Sequence, residues 1–78
     1  MISHPSDDSP LTVNVIINGA PRDVASETTI AALLAELEVS QRHVAVEVNR
    51  QLVPRARHAE YQLREGDCLE VVTLVGGG

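Results

Sequence analysis

The chain has 78 residues, 44% of them apolar, and its six arginines face eleven acids for a formal charge of −5. That length allows one small domain with a thin core. The acidic balance argues against a nucleic-acid partner, which needs clustered cations, and no apolar run approaches the ~20 residues of a membrane helix.

Residues 1–10 (MISHPSDDSP) are polar, with two prolines and two adjacent aspartates. They read as a disordered leader without an export signal. Thr12 to Asn18 alternates, with Val13, Val15 and Ile17 on one face and Ile16 among the polar residues of the other. This is a half-buried strand. Asn18-Gly19 predicts a type I′ hairpin turn, and a short return strand is expected near Arg22 to Val24, with Pro21 marking an edge. Ser26-Glu27-Thr28-Thr29 offers helix caps. Ile30, Leu33, Leu34 and Leu37 then form one apolar stripe, which predicts a helix from about Thr29 to Leu37. His43 to Asn49 alternates again, with Val44, Val46 and Val48 inward. A turn at Asn49-Arg50-Gln51 and a short piece, Leu52-Val53-Pro54, follow. Arg55 to Gln62 is irregular, with one helical turn expected near Ala59 to Tyr61. Gly66-Asp67 turns the chain into a last strand. There Leu69, Val71 and Thr73 face one way, and Cys68, Glu70, Val72 and Leu74 the other. The order predicts a two-layer α+β domain, residues 11–75, with one helix on one face of the sheet. Its first and last strands could lie side by side and parallel.

Tyr61 is the only aromatic residue, so the core is aliphatic. The lone cysteine, Cys68, excludes an internal disulfide and fits a reducing, cytoplasmic compartment. His4, His43 and His58 are too scattered for a metal site. His43 and His58 are expected to be exposed and Cys68 to be unreactive. Gly76-Gly77-Gly78 precedes no helix and no Lys-Ser/Thr pair, so it is no phosphate loop. Nothing here supports an enzyme. What remains is a tail, residues 76–78, bearing one carboxylate at Gly78. At ~3.3–3.6 Å per extended residue, Val75 to Gly78 reaches roughly 13–14 Å, and bare glycines pass through slots that no side chain could enter. A carboxylate is a poor acyl donor, so it reacts only after activation by a partner. A binding module with an incidental glycine tail stands beside that reading.

Several segments together carry a resemblance. They are the opening strand with Asn18-Gly19, Thr28-Thr29-Ile30 with Leu33-Leu34, and Val44-Ala45-Val46-Glu47-Val48-Asn49. Val53-Pro54-Arg55 and the run from Arg64-Glu65-Gly66-Asp67 through Glu70-Val71-Val72-Thr73-Leu74-Val75 to Gly76-Gly77-Gly78 complete them. The chain resembles the ThiS family, sulfur carrier proteins of thiamine biosynthesis, over about residues 12–78. The resemblance implies a ubiquitin-like β-grasp fold, with a mixed four- to five-stranded sheet covered by one main helix. It implies that an E1-like partner (ThiF) adenylates the Gly78 carboxylate with ATP. Sulfur, usually from a cysteine desulfurase, then makes a thiocarboxylate, which thiazole synthase (ThiG) uses to build the thiazole ring. Gly77 and Gly76 would be tail, and no cofactor or metal would be bound. The sister carrier of molybdopterin synthesis (MoaD) is the nearest alternative; the Val53-Pro54-Arg55 element favours the thiamine carrier. On this reading the outer face of the sheet, with Val72, Leu74 and Ile16, is the expected partner-binding surface. The absence of lysine suits a carrier that builds no chains on itself.

Overall fold

Alternation alone places β1, Thr12–Ile17: Val13 and Val15 are buried and Ile17 packs beside them. The computed structural model describes residues 11–74; the leader and the glycine tail lie outside those residues. Asn18 and Gly19 take φ of 52° and 87°, the left-handed pair that a type I′ turn requires. A two-residue turn forces pairing at once, so Ile17 faces Ala20. The return strand β2 is therefore Ala20–Ala25, longer than the three residues expected. It lies at the sheet's edge, where Pro21 costs no ladder bond with a second neighbour.

Helix α1 is Ile30–Glu36, capped by Thr29, whose side chain accepts from the Ala32 amide at 3.1 Å. Ile30, Leu33 and Leu34 are buried and Leu37 packs against them. Each fully buried leucine or isoleucine contributes about 1.5–3 kcal/mol. The helix ends in a Schellman motif: Val39 N–H donates to the Leu34 carbonyl and Glu38 N–H to that of Ala35. Glu38 holds the left-handed position at φ 61°, where glycine is usual.

A short 3₁₀ turn, Gln41–His43, leads into β3, Val44–Val48, whose three valines are buried. Asn49 and Arg50, at φ 54° and 73°, make a second tight turn into β4, Gln51–Val53. The helical turn expected near Ala59 to Tyr61 is present, with Tyr61 N–H donating to the Arg57 carbonyl at 3.0 Å, and a 3₁₀ turn at Arg55–Arg57 leads into it. Pro54 starts that 3₁₀ turn. Its fixed φ of −61° with extended ψ presents its carbonyl to the Arg57 amide at 2.8 Å.

The last strand, β5, is Cys68–Thr73. It enters the middle of a five-stranded sheet ordered β2-β1-β5-β3-β4, parallel to β1 and antiparallel to β3. The expected parallel pairing of first and last strands is therefore present.

The loop between β4 and β5 docks on the start of α1. The first amides of a helix have no partner within it. Here Tyr61 carbonyl accepts from Ile30 and His58 carbonyl from Ala31, both at 3.0 Å. This docking overturns the expectation that His58 is exposed: it is 1% exposed. Its Nε2 lies 3.0 Å from the Val53 carbonyl and its Nδ1 3.2 Å from Gln41 Oε1. A buried ring with both nitrogens engaged is a structural element of the core.

Candidate functional site

β5 is the strand that precedes residues 76–78 in sequence, and both of its edges are engaged. Successive backbone groups of a strand point to alternate sides. In β5 the even positions face β3: Cys68 carbonyl accepts from Asn49 at 2.7 Å, and Leu74 amide donates to the His43 carbonyl at 2.7 Å. The odd positions face β1: Asp67 and Leu69 carbonyls accept from Ile16 and Asn18, each at 2.9 Å. β1 ends at Ile17, yet β5 runs on. The Asn18 side chain fills the next place. Its Oδ1 accepts from the Val71 amide at 2.8 Å and its Nδ2 donates to the Val71 carbonyl at 3.2 Å. One carboxamide thus substitutes for a peptide group of a longer β1.

Asn49 does a related task at the other turn. Its Oδ1 accepts from the Cys68 amide at 3.0 Å and its Nδ2 donates to Asp67 at 3.1 Å. Asp67 also accepts from the Arg64 amide at 2.9 Å, which closes the turn around Gly66. Both asparagines sit at positive φ, which asparagine tolerates better than most residues. The turns that form the hairpins also supply the clamps on β5.

The outer sheet face carries the expected docking residues, but not as one cluster. Val72 and Leu74 are half exposed, at 52% and 53%. Val72 pairs with Ala45 across to β3. Ile16 is partly buried and pairs with Cys68, four residues of β5 before Val72, or about 13 Å along the strand. Glu70 intervenes, directly opposite Glu47. Leu52 pairs with Glu47 and is also exposed, at 64%. The short run Leu52-Val53-Pro54 gave no alternation from which its outward direction could be read. Cys68 is exposed on this face and His43 is exposed at the foot of β3. Gly76, Gly77 and Gly78 lie outside the described residues.

Elsewhere, an open polar depression of about 530 Å³ is lined by residues that include Arg57, Arg64, Glu60 and Asp67. One of its charge pairs is closed locally: Arg57 Nε meets Glu60 at 2.8 Å. Among the described residues no three His, Cys, Asp or Glu side chains group to hold a metal, and no helix is long and apolar enough to cross a membrane.

Residues 15–78 match the ThiS family. The chain belongs to the ThiS family. A sulfur carrier protein ThiS of Thermus thermophilus is 36% identical over 64 residues, covering 82% of this chain and 98% of that one. The crystal structure of a ThiS from Geobacter metallireducens superposes with a TM-score of 0.73 at 32% identity, covering 85% of this chain and all of the other. The mixed five-stranded sheet with its one helix is thus the ubiquitin-like β-grasp of ThiS proteins. A thiazole synthase of Paramagnetospirillum magneticum is 42% identical over 66 residues; these cover 85% of this chain but only 20% of that protein. The chain spans about one-fifth of the length of the thiazole synthases it matches.

Proposed function

We propose that this ThiS-family chain is a cytoplasmic protein co-substrate, and no catalyst, whose Gly78 carboxylate carries sulfur to the thiazole ring of thiamine. An E1-like partner (ThiF) brings ATP. A carboxylate oxygen attacks the α-phosphorus, pyrophosphate leaves, and an acyl-adenylate forms. A cysteine desulfurase mobilises the sulfur as a persulfide, a thiol reduces that persulfide to sulfide and ends as a disulfide, and the sulfide attacks the acyl carbon; AMP leaves with the electron pair of the broken C–O bond. The thiocarboxylate is a soft nucleophile that thiazole synthase (ThiG) consumes. Tethering it to a protein keeps the sulfur from diffusing away.

The observation that supports this most is the course of β5. It is gripped from both sides by Asn18, Asn49 and His43, and in sequence it leads to Gly76, Gly77 and Gly78. The occurrence of a matching segment within proteins named thiazole synthase favours the thiazole branch of carrier chemistry. The test is the intact mass of the chain after incubation with ATP, sulfide and the activating partner. A species with one oxygen replaced by sulfur is expected at the C-terminus, and its absence would refute the reading.

Val72 and Leu74 then form the docking patch nearest the tail in sequence, with Ile16 as a separate contact. Placing a charge there opposes burial against a partner. Leu74→Glu should raise the KM for adenylation roughly tenfold, about 1.4 kcal/mol. As an exposed position, it should leave stability within about 0.5 kcal/mol. Unchanged loading kinetics would remove Leu74 from the interface.

A further inference from the structure

We infer that the edge of β5 at Thr73, just beyond the Asn18 clamp, is a docking edge for an extended segment of the partner that activates the tail. The inference rests on the sulfur-carrier reading and adds to it a place and a mode of contact.

Three observations carry it. First, odd positions of β5 turn their backbone groups toward β1, and β1 with its Asn18 carboxamide covers them only as far as Val71. Thr73 is the next odd position. Its register partner on β3, Val44, lies in a pair flanked by hydrogen-bonded neighbours, so the Thr73 N–H and C=O point away from β3. Among the described residues nothing pairs with them. Second, the other open edges are protected and this one is not. β2 carries Pro21, Arg22 and Asp23 along its outer edge, and β4 has three residues and stops at Pro54. Proline, charge and shortness are the usual guards of a strand edge. Thr73 is flanked along the described strand by Val72 and Leu74, neither a proline nor a charge. Third, those two residues are half exposed and flank the open position on one face. A partner strand laid beside Thr73 would bond its backbone and cover both side chains together, which is how strand addition combines affinity with specificity. An occupant there continues the line of β1, and Thr73 stands five residues before Gly78 in sequence.

The test removes one donor. Proline is tolerated in a strand where its missing N–H faces solvent, so Thr73→Pro should fold with the wild-type circular dichroism spectrum. Its KM in ATP–pyrophosphate exchange with the activating enzyme should rise roughly tenfold or more, as expected for a lost interfacial hydrogen bond and the added ring. Thr73→Ala keeps the N–H and should stay within twofold of wild type. Should Thr73→Pro fail to fold, a backbone ester replacing the Val72–Thr73 amide removes the same proton without the ring, with the same rise in KM expected. Wild-type kinetics in the folded proline or ester variant would overturn the inference while leaving the carrier reading intact. An equal loss in Thr73→Ala would also overturn it, since the side chain would then be the contact. Failure of the wild-type chain to support exchange would overturn the carrier reading itself, and this inference with it.

Discussion

A chain extended by one residue beyond Gly78 should acquire no thiocarboxylate. Extension converts the carboxylate of Gly78 into an amide, which has no anionic oxygen to attack ATP. The loss should be complete and should appear as the absence of the sulfur-for-oxygen mass species. Deleting Gly78 makes a subtler case. Gly77 then bears the carboxylate, but the reach falls by ~3.3–3.6 Å. Misplacement of a reacting group by ~1 Å can cost about a hundredfold, so loading should fall by at least that factor. Both variants leave residues 11–74 untouched, and their unfolding curves should overlay that of the parent. Sulfur loading by the extended chain would place the chemistry somewhere other than Gly78.

The second large effect concerns the core. His58→Ala should destabilise the fold by about 3 kcal/mol. Removing the ring takes away the Val53 carbonyl's second partner at 3.0 Å, beside its ladder pairing with Val46, a cost of about 0.5–1.5 kcal/mol, and opens a cavity where a ring filled a 1% exposed site. For a domain of 60–100 residues each kcal/mol moves Tm by ~4–8 °C, so a fall of ~12–24 °C is expected by calorimetry. The variant should also loosen the route to the tail. Gln41, which faces His58, belongs to the same 3₁₀ turn as His43, whose carbonyl holds Leu74. Hydrogen exchange at the Leu74 amide should therefore quicken. A change in stability below about 0.5 kcal/mol, the range of ordinary surface substitutions, would show that the ring carries no such role.

His58 also marks where sequence reasoning stops. Val13, Val15, Val44, Val46 and Val48 announce their strands because alternation is a local property of each strand. The Ile30, Leu33, Leu34 and Leu37 stripe does the same for the helix. Asn18-Gly19 declared its turn because few residues accept that backbone. His58 has no such local signature. Its partners are Val53, nearby, and Gln41, 17 residues away, and only the docking of its loop on the start of α1 brings them together. The asparagine clamps were hidden for the same reason. Asn18 is legible as a turn residue, but its bonds to Val71 span 53 positions. Leu52 was hidden by brevity, since three residues do not establish a face. Ile16 was correctly assigned to the outer face, and only the register of β1 on β5 separates it from Val72.

The central place of β5 has a consequence for synthesis. β1 with β2, and β3 with β4, are two hairpins with local contacts, and in the sheet order β5 alone stands between them. It is also the last of the described strands to leave the ribosome. Until it emerges, the two hairpins have no shared strand, and the valines meant for the common core remain in water. Folding of this domain is therefore expected to wait until β5 has left the ribosome, and a nascent chain stalled before Cys68 should be open to proteases and chaperones.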